Sequence, residues 1–89
     1  MKQLLNTLYV TSEDAYLSLK NDNVIVQRDD DVLGRIPLRS LESIMSFSYK
    51  GASPALMGKC AEFGVGVSLF SPYGRYYCSI LGEKNRNVL

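Results

Sequence analysis

Residues 44–70 read Ile44-Met45-Ser46-Phe47-Ser48-Tyr49-Lys50-Gly51-Ala52-Ser53-Pro54-Ala55-Leu56-Met57-Gly58-Lys59-Cys60-Ala61-Glu62-Phe63-Gly64-Val65-Gly66-Val67-Ser68-Leu69-Phe70. The periodicity changes twice within this stretch. Ile44 to Tyr49 alternates, with Met45, Phe47 and Tyr49 on one face and Ile44, Ser46 and Ser48 on the other, which is the period of a strand. Ser53 is a good N-cap, and Pro54 suits the first helical position because its missing N–H costs nothing there. Leu56, Cys60 and Phe63 then recur at i, i+4 and i+7, Met57 and Ala61 widen the apolar stripe, and Gly64 fits a C-terminal cap. The spacing predicts one helix of about three turns, followed by a strand through Val65, Val67 and Leu69.

Short strands and tight turns continue outward on both sides. Ser71-Pro72-Tyr73-Gly74 is a turn with proline at its second position. Arg75 to Leu81 returns antiparallel, with Tyr77, Ser79 and Leu81 on one face and Tyr76, Cys78 and Ile80 on the other. Toward the start, Leu4 to Val10 is β-rich and interrupted at Asn6 and Thr7. Ala15, Leu17 and Leu19 alternate with Tyr16, Ser18 and Lys20. Asn21-Asp22-Asn23 is a turn cluster whose residues tolerate left-handed backbone, and Val24 to Gln27 is the return strand. Asp29-Asp30-Asp31 leads into Val32 to Leu38, where Pro37 cannot donate to a ladder and so marks a strand end or an edge. Those three aspartates predict a solvated turn and not a metal site, because consecutive carboxylates point apart and no further ligand is at hand. The expected fold is α+β and mainly β: mostly antiparallel strands in two packed sheets, with one short helix.

Composition bounds the function. The chain has 89 residues, a formal net charge of +1, 46% hydrophobic residues and no histidine or tryptophan. A domain of this size buries about 60% of its unfolded surface, so its stability is modest. Residues 1–49 hold five Lys or Arg against seven Asp or Glu, and residues 50–89 hold five against two. Any anionic ligand is therefore expected at the later part. Without histidine the chain lacks the commonest general acid–base group and metal ligand, which argues against catalysis by this segment. Cys60 and Cys78 have no CxxC spacing and read as reduced core thiols; a thiol enzyme built on either would lack a histidine base. No apolar run approaches the ~20 residues that span a bilayer, and no signal peptide opens the chain. A cytoplasmic protein is expected.

Specific words then join the order of elements. LLNTLYVTSEDAYLSLKNDNVIV (4–26), IPLRSLESIMSFSYKGASPALMGKCAEFGVGVSLFSPYGRY (36–76) and GEKNRNVL (82–89) resemble the CRISPR-associated integrases that insert new spacers into CRISPR arrays. The resemblance is closest to members from type I-C systems. It rests on Ile36-Pro37-Leu38, Leu41, Ser53-Pro54, Gly64-Val65-Gly66-Val67-Ser68 and Gly74-Arg75, in that order, and covers essentially the whole chain. It implies the amino-terminal β domain of a larger antiviral-defence endonuclease, with residues 1–82 as the domain and residues 83–89 as the start of a linker to a helical catalytic domain. It further implies a homodimer acting on double-stranded DNA, with a small ferredoxin-like partner protein. A divalent metal, Mg or Mn, would be held by Glu, His and Asp of the helical domain, and the reaction would be transesterification by a DNA 3′-hydroxyl. No catalytic, metal or cofactor residue is expected among these 89.

Arg75 is the first DNA-contact candidate, since the resemblance places a basic residue after the hairpin turn and a guanidinium can fork onto a phosphate. Lys50 and Lys59 are weaker candidates. Some relatives clamp a duplex end with a tyrosine on the early hairpin; Tyr9 and Tyr16 are the nearest here, without a firm match to that position. Tyr49, Tyr73, Tyr76 and Tyr77 exceed what so small a core needs and are interface candidates, aromatics being enriched in interfaces. The alternative function is an autonomous small β domain that binds nucleic acid or protein partners, for which a net charge of +1 offers little support.

Overall fold

The computed structural model describes residues 2–81; the expected linker, residues 83–89, lies outside them. The chain opens with a hairpin of β1 (Lys2–Leu4) and β2 (Thr7–Val10), turned at Leu5-Asn6. A three-stranded meander follows: β3 (Tyr16–Lys20), β4 (Asn23–Arg28) and β5 (Asp31–Pro37). A single 3-10 turn at Leu38–Ser40 leads to β6 (Ser43–Ser46). Helix α1 spans Pro54–Phe63, and the chain returns through β7 (Gly66–Phe70) and β8 (Tyr76–Ile80).

The turn chemistry is where the sequence puts it. Asn21 and Asp22 both have positive φ, which gives a two-residue connection the twist that antiparallel strands require. Asp29 is likewise left-handed, and the three aspartates are exposed. Pro37 ends β5, an edge strand. At α1 the Ser53 hydroxyl accepts from the Leu56 amide at 3.1 Å. Gly64 closes the helix at φ 77°, a conformation that carries no steric cost for glycine.

The strands form two sheets, ordered β1-β2-β6-β7-β8 and β3-β4-β5. Four of the pairings are antiparallel, as expected, but the centre of the larger sheet is parallel: β2 with β6 and β6 with β7. Alternation along a strand reveals its period and not its direction. Parallel neighbours need a crossover connection. Helix α1 supplies it between β6 and β7, and the whole smaller sheet is inserted between β2 and β6.

The core lies between the sheets. Leu8, Val10, Ile44 and Val67 face Leu17, Val24, Val26 and Ile36, with Leu56 and Cys60 of α1 and Leu38 and Leu41 closing the ends. The loop after β6 seals one edge of the smaller sheet: Leu17 N–H donates to the Gly51 carbonyl at 3.1 Å, and Ser53 N–H donates to the Leu17 carbonyl at 2.8 Å. Of the two faces of residues 44–49, the one turned inward carries Ile44, Ser46 and Ser48. The serines are small enough for the loop to pass close by, and the Ser48 hydroxyl accepts from Gly51 N–H at 3.2 Å.

One expectation is corrected. Cys60 is a core thiol, but Cys78 is exposed. It shares its register row with Leu69, but it lies on β8, the outermost strand of the larger sheet. Among the described residues no helix is long and apolar enough to cross a membrane.

Candidate interaction surface

The β7–β8 turn is built around one hydroxyl. Ser71 Oγ, nearly buried, accepts from Tyr73 N–H at 3.2 Å and from Arg75 N–H at 3.0 Å. Ser71 N–H donates to the Arg75 carbonyl at 2.7 Å, and Gly74 takes φ 90°. The backbone of Arg75 is thereby fixed while its side chain faces solvent; it forms no ion pair among the described residues. Sequence reading missed Ser71, although a serine preceding Pro-Tyr-Gly is the available clue.

The two lysines differ from Arg75. Lys50 lies 3.8 Å from Asp29, and Lys59 lies 3.8 Å from Asp22 and 3.7 Å from Glu62. Lys59 also stands 5.4 Å above the Phe63 ring, which Arg39 approaches to 5.0 Å. These are partly exposed pairs that add little stability, but they offset much of the positive charge at both lysines. Because β6 and β7 run parallel, Tyr49 and Lys50 leave the larger sheet at the same end as Tyr73 and Arg75. Lys59 sits apart on α1.

The four interface candidates are all exposed: Tyr49 at 60%, Tyr73 at 94%, Tyr76 at 58% and Tyr77 at 56%. Tyr9 and Tyr16 are half-buried in their sheets. Tyr76 ends an aromatic row across the outer face of the larger sheet: Phe47 stacks on Phe70 at 4.8 Å, and Phe70 meets Tyr76 edge-on at 5.6 Å. The Tyr76 hydroxyl donates to Ser79 Oγ at 2.9 Å, and Ser79 pairs with Ser68 at 3.0 Å. The sequence reading treated the tyrosines singly and did not anticipate this row, which needs the ends of three neighbouring strands, β6, β7 and β8, in register.

Chemically this is a surface. The described residues form no pocket for a small molecule. No three His, Cys, Asp or Glu among them are grouped to hold a metal ion. Burial pushes the Cys60 thiol up to about 11, which keeps it protonated and unreactive near neutrality.

Comparison with known proteins follows the same outline. The family model for CRISPR associated protein Cas1 matches residues 8–89. A CRISPR-associated endonuclease Cas1 of Chlorobaculum tepidum is 39% identical over all 89 residues, covering 26% of that relative. One from Rhodospirillum rubrum is 38% identical over the same span, again 26% of its length. The chain thus spans about a quarter of the length of these curated relatives. Among solved structures, a TtCas1–DNA complex matches 94% of this chain and 32% of its own, with a TM-score of 0.70 at 17% identity. A partial Cas6-RT-Cas1–Cas2 complex matches 85% of this chain and 23% of its own, with a TM-score of 0.75 at 20% identity. At these identities the structural likeness speaks for the fold. The family match over nearly the whole sequence, and relatives at this level of identity, place the chain in the CRISPR associated protein Cas1 family.

Proposed function

We propose that this chain is the amino-terminal, dimer-forming and DNA-supporting domain of a metal-dependent CRISPR-associated DNA integrase and endonuclease that inserts spacers into CRISPR arrays. The observation that carries the reading is the family match over residues 8–89. In this reading residues 1–82 form the domain and residues 83–89 begin the linker to a helical catalytic domain. The enzyme belongs to a type I-C system, works in the cytoplasm, and acts with a small ferredoxin-like partner protein. Mg or Mn is held by the helical domain; when bound, it polarises the phosphodiester under attack.

The part assigned to residues 2–81 is positioning. Arg75, fixed at its backbone and free at its guanidinium, holds a phosphate of the duplex. Lys50, at the same sheet end but shared with Asp29, adds a weaker contact, and Lys59 a weaker one still. The exposed tyrosines serve the interface between protomers. The test is a chimera in which this chain replaces the matching stretch of the Chlorobaculum tepidum relative, assayed for joining a DNA 3′ end into a CRISPR repeat. Retained strand transfer is the expected result. A folded, metal-binding chimera that neither dimerises nor transfers would overturn the reading.

A further inference from the structure

We propose that Asp29 is a built-in counter-ion for Lys50, one that a DNA phosphate must displace, so that Asp29 sets how tightly this end of the domain holds DNA. The proposal deepens the DNA-supporting reading above and rests on it.

Both members of the pair stand on fixed backbone. Lys50 lies in the segment that follows β6, and hydrogen bonds pin that segment on either side of it. Tyr49 N–H donates to the Glu13 carbonyl at 3.0 Å, and the Gly51 carbonyl accepts from Leu17 N–H at 3.1 Å. Gly51 N–H donates to the Ser48 hydroxyl at 3.2 Å. Asp29 lies in the turn between β4 and β5, next to the register pair Arg28 and Asp31. Its backbone is left-handed, with φ 54°, and its carboxylate lies 3.8 Å from Lys50 Nζ. The pair therefore joins a turn of the smaller sheet to a loop leaving the larger one.

Folding stability does not account for this pair. The Asp29 side chain is 80% exposed and that of Lys50 39%, and such ion pairs add little to stability. The consequence lies in the charge that the surface offers. Lys50 and Arg75 stand at the same end of the larger sheet, yet among the described residues only Lys50 has a carboxylate beside it. A phosphate that approaches Lys50 thus competes with an anion already in place. Lys50 contributes only the difference between the two attractions, and a displaced Asp29 carboxylate is left beside the DNA. Its negative charge offsets the counter-ion release that a free lysine would bring about. Arg75 has no such competitor and contributes in full. The site has one unconditional contact and one held in check.

The experiment measures duplex binding by the chimera with the Chlorobaculum tepidum relative at several salt concentrations, with a melt beside each measurement. Asp29→Asn keeps the shape of the side chain, and asparagine tolerates left-handed backbone, so the melt should not move. Binding should tighten about fivefold at low salt, and the salt slope should rise by about one unit. Lys50→Ala should weaken binding about twofold in the unaltered chimera and about tenfold beside Asp29→Asn, cancelling the gain. No gain from Asp29→Asn overturns the proposal. So does a gain that survives Lys50→Ala, because removing any negative charge would then suffice. Arg75→Ala separates the two readings. Weaker binding by that variant, with Asp29→Asn without effect, overturns the role of Asp29 while DNA support stands. Binding indifferent to all three variants overturns both.

Discussion

Strands β4 and β8 are both rich in large side chains, and they meet opposite fates. Val24, Ile25 and Val26 of β4 are all buried, whereas β8 buries none of its five residues. The difference lies in their neighbours. Strand β4 has β3 on one side and β5 on the other, and its Val24 and Val26 join one core cluster with residues of the larger sheet and of α1. Strand β8 has only β7. Hydrophobic stabilisation follows area removed from water, so position in the sheet order, more than residue type, decides which region carries stability and which is left exposed.

That division ranks the effects of substitution. Leu56→Ala, in the core between the sheets, should cost about 2–5 kcal/mol, read as a fall in the urea midpoint; a loss below ~1 kcal/mol would mean that α1 is not packed as described. Ser53→Ala removes the cap on Leu56 N–H and should cost about 1 kcal/mol, measured the same way. Cys60 gives a pH signature. Its thiol ionises at 9.0 when unperturbed and at about 11 when folded, so its contribution is intact below pH 9 and is lost as pH rises toward 11. Urea melts from pH 8 to 11 should fall more steeply for the wild type than for Cys60→Ala, and parallel curves would remove Cys60 from the core.

Arg75→Ala should have the smallest effect on folding, within about 0.5 kcal/mol. In the chimera with the Chlorobaculum tepidum relative it should weaken DNA binding at every sequence and lower the salt slope by about one unit. Unchanged affinity and slope would reduce Arg75 to an ordinary turn residue.

The features legible in the sequence are those encoded locally. Helix α1, from its Ser53 cap to Gly64, follows from side chains acting within one turn of themselves, and so do the turns at Asn21-Asp22 and Ser71–Gly74. Pro37 at a strand end follows from its missing N–H. Features set by distant partners were out of reach. The parallel pairing of β2 with β6 joins segments about 35 residues apart through an inserted sheet. Nothing in alternating residues tells which face of 44–49 turns inward, and the aromatics Phe47 and Tyr49 proved to be on the outside. Cys78 read as a core thiol because its sequence neighbours are small or apolar; only the sheet order shows that it lies on the outermost strand. For the interaction surface, Arg75 and the four tyrosines stood out as residue types, but the outermost strand that unites Tyr76, Tyr77 and Cys78 is a property of topology.

The most direct test of this two-part account is amide hydrogen exchange of the 89-residue chain in dilute solution. The account predicts that the amides of Val24–Val26 exchange slowly, while those of Tyr76–Ile80 exchange quickly. Protection of Tyr76–Ile80 equal to that of Val24–Val26 would contradict it.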